Sequence, residues 1–242
     1  MDHYSHGAPY DCVFIHGAGG NNLLWKRSLQ FLSGPKRALA VNLPGHPSGD
    51  VSCTTVEEYA EAVYGFISEV GLEKVAVCGH SMGSAIALTV ALKHPDAISG
   101  LILVDGGAKL GVSPSILEGL SNQPLRAIEE LITPMSFHAV TLAMGREART
   151  ALSLSNLRIF LNDYQACNGF DVRGRLPQIS AKSMVVCGED DKMTPPKYSQ
   201  YLNDRIPGSS MHVIPEAGHM VPLEKPEALG GLIQGFLSTL NR

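Results

Sequence analysis

The chain has 242 residues, 44% hydrophobic and 17% charged, so it carries enough apolar side chain for a sizeable core and does not have a disordered composition. Its formal net charge of −4 leaves no basic excess to neutralise phosphates, which speaks against nucleic acid, and is too small to imply a cationic partner. Met1 to Tyr10 lack the apolar core of a signal peptide and no stretch approaches the roughly 20 apolar residues of a bilayer span, so a cytoplasmic protein with no membrane span is expected.

In chain order, the first predicted strand is Cys12-Val13-Phe14-Ile15, which ends at His16-Gly17-Ala18-Gly19-Gly20. Glycine lets the backbone approach a ligand and leaves N–H groups free, so Ala18 N–H is a candidate oxyanion donor and His16 a loop-ordering residue. A dinucleotide fingerprint does not fit. The third glycine position holds Asn22, and the next strand ends in Asn42 rather than an acid. A helix is predicted over Leu23–Leu32, a strand over Arg37–Leu43, and a helix over Thr55–Val70 that Thr55 and Glu58 would open as a capping box.

The third strand, Lys74–Cys78, runs into Gly79-His80-Ser81-Met82-Gly83 and then a helix over Met82–Lys93. This is a G-x-S-x-G nucleophile elbow in its required strand-to-helix context. A sharp turn would project the Ser81 hydroxyl, the glycines would remove clashing side chains, and Met82 N–H at the helix start would be the second oxyanion donor.

After the fourth strand, Gly100–Val104, the alternation stops. Helices are expected over Ser113–Asn122, Pro124–Ile132, Phe137–Met144 and Arg146–Cys167. Residues 107–179 would lie as a helical cap over the C-terminal edge of the strands, with 1–106 and 180–242 as the core. A helical extension that only packs against the core is the alternative.

The fifth strand, Ser183–Cys187, leads into Gly188-Glu189-Asp190-Asp191-Lys192-Met193-Thr194-Pro195, where a carboxylate could orient a histidine. Asp191 is favoured; Asp190 and Asp105 are the other candidates. The sixth strand, Met211–Ile214, precedes Ala217-Gly218-His219-Met220, which places His219 as general base to Ser81. Helices are expected over Pro196–Asp204 and Lys225–Leu240. His3, His6, His46, His94, His138 and His212 form no metal-ligand pattern and read as surface or loop residues. Cys12, Cys78 and Cys187 read as small buried hydrophobes. Apolar strands alternating with helices predict an α/β fold with a doubly wound, mostly parallel sheet.

The four motifs, in this order and over nearly the whole chain, resemble the α/β-hydrolase superfamily, and most of all its small lid-bearing serine esterases. The resemblance implies Ser81, Asp191 and His219 as catalytic triad, with the Ala18 and Met82 amides as oxyanion hole. Three departures stand out. Only ten residues precede Asp11, so the family's first strand or two are expected to be absent or rudimentary. The usual Asp-Leu-Pro-Gly-His-Gly reads Asn42-Leu43-Pro44-Gly45-His46-Pro47. Ser84 stands where many relatives have a second glycine, with little effect expected. A serine nucleophile argues against dehalogenases and epoxide hydrolases. Met220 after His219 and His80 before Ser81 argue against carbon–carbon bond hydrolases, which have Trp and Asn there; Met220 also argues against hydroxynitrile lyases.

The expected activity is hydrolysis of small, largely apolar carboxylic esters through an acyl-enzyme, with no metal or organic cofactor. Trp25, Met135, Phe137, Met144, Met220 and Val221 are candidate pocket residues, ordinary core packing being the alternative. No Arg or Lys cluster around the motifs suggests a carboxylate or phosphate substrate. Other acyl-type bonds (thioester, lactone, amide, carbon–carbon), or a ligand receptor that retains the triad, are the competing readings. The sequence favours neither monomer nor homodimer.

Overall fold

The computed structural model describes residues 1–47, 49, 51–139 and 157–240. Its centre is a seven-stranded sheet in the order β1-β3-β2-β4-β5-β6-β7. The strands are β1 (His3–Ala8), β2 (Cys12–Ile15), β3 (Lys36–Val41), β4 (Val75–His80), β5 (Ile98–Val104), β6 (Lys182–Gly188) and β7 (Ser210–Ile214). All pairings are parallel except β1 with β3.

The inner strands are apolar on both faces because both faces are covered. Val13, Ile15, Val77, Leu101 and Val185 pack on one side, against the helices α2 (Val56–Glu69) and α3 (Met82–Lys93). The alternating residues Phe14, Cys78, Ile102 and Val186 pack on the other, with Trp25, Leu229 and Ile233. Thr55 and Glu58 form the expected capping box at the start of α2: Glu58 N–H donates to Thr55 Oγ1 at 3.2 Å, and Thr55 N–H to Glu58 Oε2 at 3.3 Å. All five cysteines are free thiols.

The expectation that the opening strand or two would be absent or rudimentary needs correction in part: a single strand, β1, precedes β2. β1 is a six-residue edge strand, antiparallel to β3 from His3 opposite Val41 to Ala8 opposite Lys36. Its residues are polar and mostly part-exposed, which an edge tolerates and which leaves no apolar run in the sequence. Helix Leu23–Leu32 is also shorter than expected: a 3₁₀ turn, Asn22–Trp25, followed by α1 (Lys26–Leu29).

Between β5 and β6 lie α4 (Pro114–Asn122), α5 (Pro124–Ala127), a π-helical turn over Ile128–Ile132, α6 (Thr133–Ser136) and α7 (Leu157–Gly169). Ile116, Leu120, Ile128, Ile132, Phe160 and Tyr164 form a third apolar cluster that packs with Ala18 and Met193 from the sheet's loops. The helix expected over Phe137–Met144 is not continued at Phe137, whose backbone is extended. Residues 140–144, and 146–156 of the next expected helix, fall outside the described residues. The chain closes with α8 (Pro196–Arg205), α9 (Val221–Glu224) and α10 (Pro226–Ser238). Among the described residues no helix is long and apolar enough to cross a membrane.

Chain order fixes where a ligand can lie. From β2 the chain moves to β3 on one side, then returns to place β4 on the other. Loops leaving β2 and β4 therefore diverge, which opens a crevice at their C-terminal ends.

Candidate active site

Ser81 sits in that crevice with φ 53° and ψ −117°, a region L-residues seldom occupy. The flanking glycines explain how the turn closes. A Cβ on Gly79 would overlap the Gly83 carbonyl, and one on Gly83 would overlap the Ile15 carbonyl. Ser81 N–H donates to Val104 O at 2.9 Å, tying the turn to β5. The Ser84 hydroxyl donates within the same turn, to Gly79 O at 2.7 Å or Val104 O at 3.1 Å, so this departure braces the elbow.

His219 follows β7, and its Nε2 lies 2.9 Å from Ser81 Oγ. Its Nδ1 lies 2.8 Å from Asp191 Oδ2. The Asp191 carboxylate is further held by Met193 N–H and Thr194 N–H on Oδ1, at 2.8 and 2.9 Å. Thr194 Oγ1 stands 2.8 Å from Asp191 Oδ2 and 2.8 Å from Asp105 O, with one hydroxyl hydrogen to serve the two. Burial pushes the Asp191 carboxyl up. The His219 ring and these hydrogen bonds outweigh it and hold the group below the usual carboxylate range.

The other carboxylates are engaged elsewhere. Asp190 Oδ2 faces His138 Nδ1 at 2.7 Å, at the surface. Asp105 is fully buried and accepts from Gly188 N–H at 2.9 Å; burial, with Asp191 nearby, pushes its pKa well above the usual range.

Two further histidines shape the site. His80 Nε2 donates to the His219 carbonyl at 2.8 Å, which pins the loop carrying the imidazole. Burial, then the His219 ring, pull its pKa down to about 3, so it is neutral at ordinary pH. His16 donates from Nδ1 to Gly17 O at 2.8 Å and accepts Leu43 N–H on Nε2 at 3.1 Å. That pattern defines one neutral tautomer, in keeping with a pKa that burial, then the neighbouring His46 ring, lower well below the ordinary value. His46 stands in a loop, as expected, but not at the surface. It is buried, lies beside the His16 ring at 4.7 Å between centroids, and contacts Asp163 of α7. Gly19 and His46 stand in motifs, but Asp163 and Tyr59 do not, so no signal in the sequence showed that the four meet.

Ala18 lines the cleft with Ser81, while the Met82 side chain points into the core and only its backbone serves the turn. Among the described residues the Ala18 and Met82 amides have no protein acceptor.

The cleft has a volume of about 490 Å³. Phe137 and Met220 line it, with Ile128, Ile132, Phe160 and Tyr164 from the inserted helices. Trp25, Met135 and Val221 do not. Trp25 packs edge-on against Phe14 at 5.2 Å between centroids and Val221 is in the same core face, because their positions on short helices turn them toward the sheet. Met135 is half-buried in α6 without reaching the cleft. Met144 lies outside the described residues. Lys26 and Arg27 do line the cleft, which corrects the view that no cations gather near the motifs. They come from α1, whose approach to the Ser81 loop no local pattern announces.

Sheet and site together define a class: an α/β protein with hydroxyl, imidazole and carboxylate in hydrogen-bonded line at the strand ends. The sequence pattern of the alpha/beta hydrolase family matches residues 12–230. The chain is 28% identical to a 2-hydroxy-6-oxo-6-phenylhexa-2,4-dienoate hydrolase of Burkholderia cepacia, over 93% of this chain and 87% of that one. It is 26% identical to a pimeloyl-[acyl-carrier protein] methyl ester esterase of Neisseria meningitidis, over 92% and 91%. Among solved structures, a thermophilic esterase superposes with a TM-score of 0.85 at 31% identity, over 97% of this chain and 92% of that one. The chain belongs to the alpha/beta hydrolase family, and is a hydrolase of that family.

Proposed function

We propose that this hydrolase cleaves carboxylic esters of small, largely apolar substrates through an acyl-Ser81 intermediate. One observation carries the reading: the Ser81–His219–Asp191 line, with contacts of 2.9 and 2.8 Å, opens into a mainly apolar cleft. His219 takes the Ser81 proton as Oγ attacks the ester carbonyl. The Ala18 and Met82 amides receive the oxyanion, and each such donor is worth on the order of 10²–10³ in rate. His219 then protonates the leaving alcohol and activates the water that releases the acid. Asp191 keeps Nδ1 protonated, so that Nε2 faces the nucleophile. In this reading residues 107–179 form the cap whose helices supply the apolar wall.

Carbon–carbon bond hydrolysis is the second reading, favoured by the dienoate hydrolase relative. Against it stand Met220 and His80 beside the proposed base and nucleophile. The test is turnover of a panel of short-chain aryl and alkyl esters, one carboxylate-bearing ester for Lys26 and Arg27, and a vinylogous 1,5-diketone. Wild type is expected to turn over the apolar esters best, and Ser81→Ala to lose the activity. Equal turnover by Ser81→Ala would remove the acyl-serine mechanism; preference for the diketone would replace the ester reading.

A further inference from the structure

The carboxylate of Asp163 is fully buried on α7, far from the proposed reacting atoms in sequence and outside every motif. Three donors converge on it. Gly19 N–H donates to Oδ2 at 2.8 Å, His46 Nε2 lies 2.8 Å from the same oxygen, and Tyr59 O–H donates to Oδ1 at 2.7 Å. Burying a carboxylate costs free energy that an apolar side chain of the same size would not, and such a group keeps its place only with full hydrogen bonding. Gly19 is also capped from above. Its φ is +65°, and a Cβ there would run into the ring of Phe160, three residues before Asp163 on the same helix.

The location matters because of Ala18. A peptide unit is planar, so the Gly17 carbonyl and the Ala18 N–H turn together. The Gly17 carbonyl is held by His16 Nδ1 at 2.8 Å and by Gly20 N–H at 3.1 Å. The next plane, which contains Gly19 N–H, is held by Asp163. Both planes that meet at Ala18 are thus fixed, one by the loop itself and one by a helix whose Asp163 lies 144 residues beyond Gly19.

We infer that Asp163 is a positioning residue for the oxyanion loop: its carboxylate, anchored by Tyr59 and His46, sets the orientation of the Ala18 amide through Gly19. The inference rests on the acyl-serine reading above. It makes α7 part of the catalytic frame as well as a wall of the cleft, so the donor is aligned only while α7 is seated on the 16–20 loop.

The test uses the full chain as wild type, Asp163→Asn, Tyr59→Phe and Ser81→Ala. Kinetics on an aryl ester are paired with inhibition by a trifluoromethyl ketone of matching shape, whose hemiketal oxyanion would occupy the same donors, and with thermal melting. Asp163→Asn is expected to lower kcat by about 10- to 100-fold with KM moving less than about threefold, because a misplaced donor weakens the transition state more than the ground state. Ketone affinity should fall in step with kcat/KM. A merely structural role would lower the melting temperature and leave both quantities within about twofold of wild type; that result overturns the inference. Tyr59→Phe, which keeps the ring and removes one donor, should move kcat/KM and ketone affinity in the same direction by about threefold or more. If Asp163→Asn does not fold, a folded Tyr59→Phe with both quantities unchanged overturns the inference in its place. Ser81→Ala separates the two claims. Retained turnover there defeats the acyl-serine reading itself, whereas an inactive Ser81→Ala beside an unaffected Asp163→Asn defeats only the role given to Asp163.

Discussion

Asp191 Oδ2 lies 2.8 Å from His219 Nδ1 across 28 residues of chain, while the adjacent Asp190 turns outward to His138 at 2.7 Å. Two neighbouring carboxylates of identical chemistry are thereby separated into an inner and an outer role. Replacing Asp191 by Asn keeps its size and some hydrogen bonding but removes the charge that favours the required tautomer. A loss in kcat on the order of 10³–10⁴ is expected, with Asp190→Asn within about twofold of wild type. Steady-state kinetics of the two variants decide it, and equal losses would contradict the assignment.

The elbow glycines yield a stability prediction. A Cβ at Gly79 or Gly83 meets backbone that cannot move aside, whereas nothing lies within 4 Å of the position a Cβ would take on Gly65, an exposed glycine inside α2. Gly83→Ala should therefore destabilise by about 3 kcal/mol or more, and Gly65→Ala should stabilise by about 0.5–1 kcal/mol. Denaturant unfolding of the two variants gives the comparison. A neutral Gly83→Ala would show that the turn can relax.

His80 supplies the pH dependence. Its folded pKa is about 3, against an ordinary value of 6.5, because burial and then the His219 ring disfavour the charged form. The unfolded chain takes up the proton as pH falls below 6.5, while the folded chain does not until near 3. Stability contributed by the neutral ring is thus present above 6.5 and is lost as pH falls through that window, at about 1 kcal/mol per pH unit. His80→Gln retains a donor for the His219 carbonyl and cannot titrate. Its acid limb between pH 6.5 and 4 should be shallower than that of wild type by about that slope. Parallel unfolding curves would show that His80 does not control this range.

The inner strands were legible because burial on both faces demands uninterrupted apolar runs, and Cys12–Ile15 and Val75–Cys78 have them. β1 was not legible, since an edge strand paired on one side needs no such run and His3, Ser5 and His6 satisfy it. The elbow around Ser81 was legible because its spacing is local: a Cβ on Gly79 would strike Gly83 within the same turn, while the Ile15 carbonyl of β2 leaves room only for glycine at 83. Pocket walls were harder. Phe137 and Val221 look alike in a string, yet Phe137, in extended backbone after α6, faces the cleft, while Val221, on a short helix turned toward the sheet, faces the core.

By itself the sequence determined the order of strands β2 to β7 and of most helices, the elbow, and the loops that carry Ala18, Asp191 and His219, because these depend on local backbone sterics and on apolar periodicity. Tertiary structure set Asp191, which the sequence only favoured over Asp190, against the imidazole, and alone decided that Lys26 and Arg27 reach the cleft and that His46 is buried against Asp163. Those outcomes follow from the packing of segments distant in the chain, and hydrogen bonds across such distances leave no spacing for a linear pattern to display.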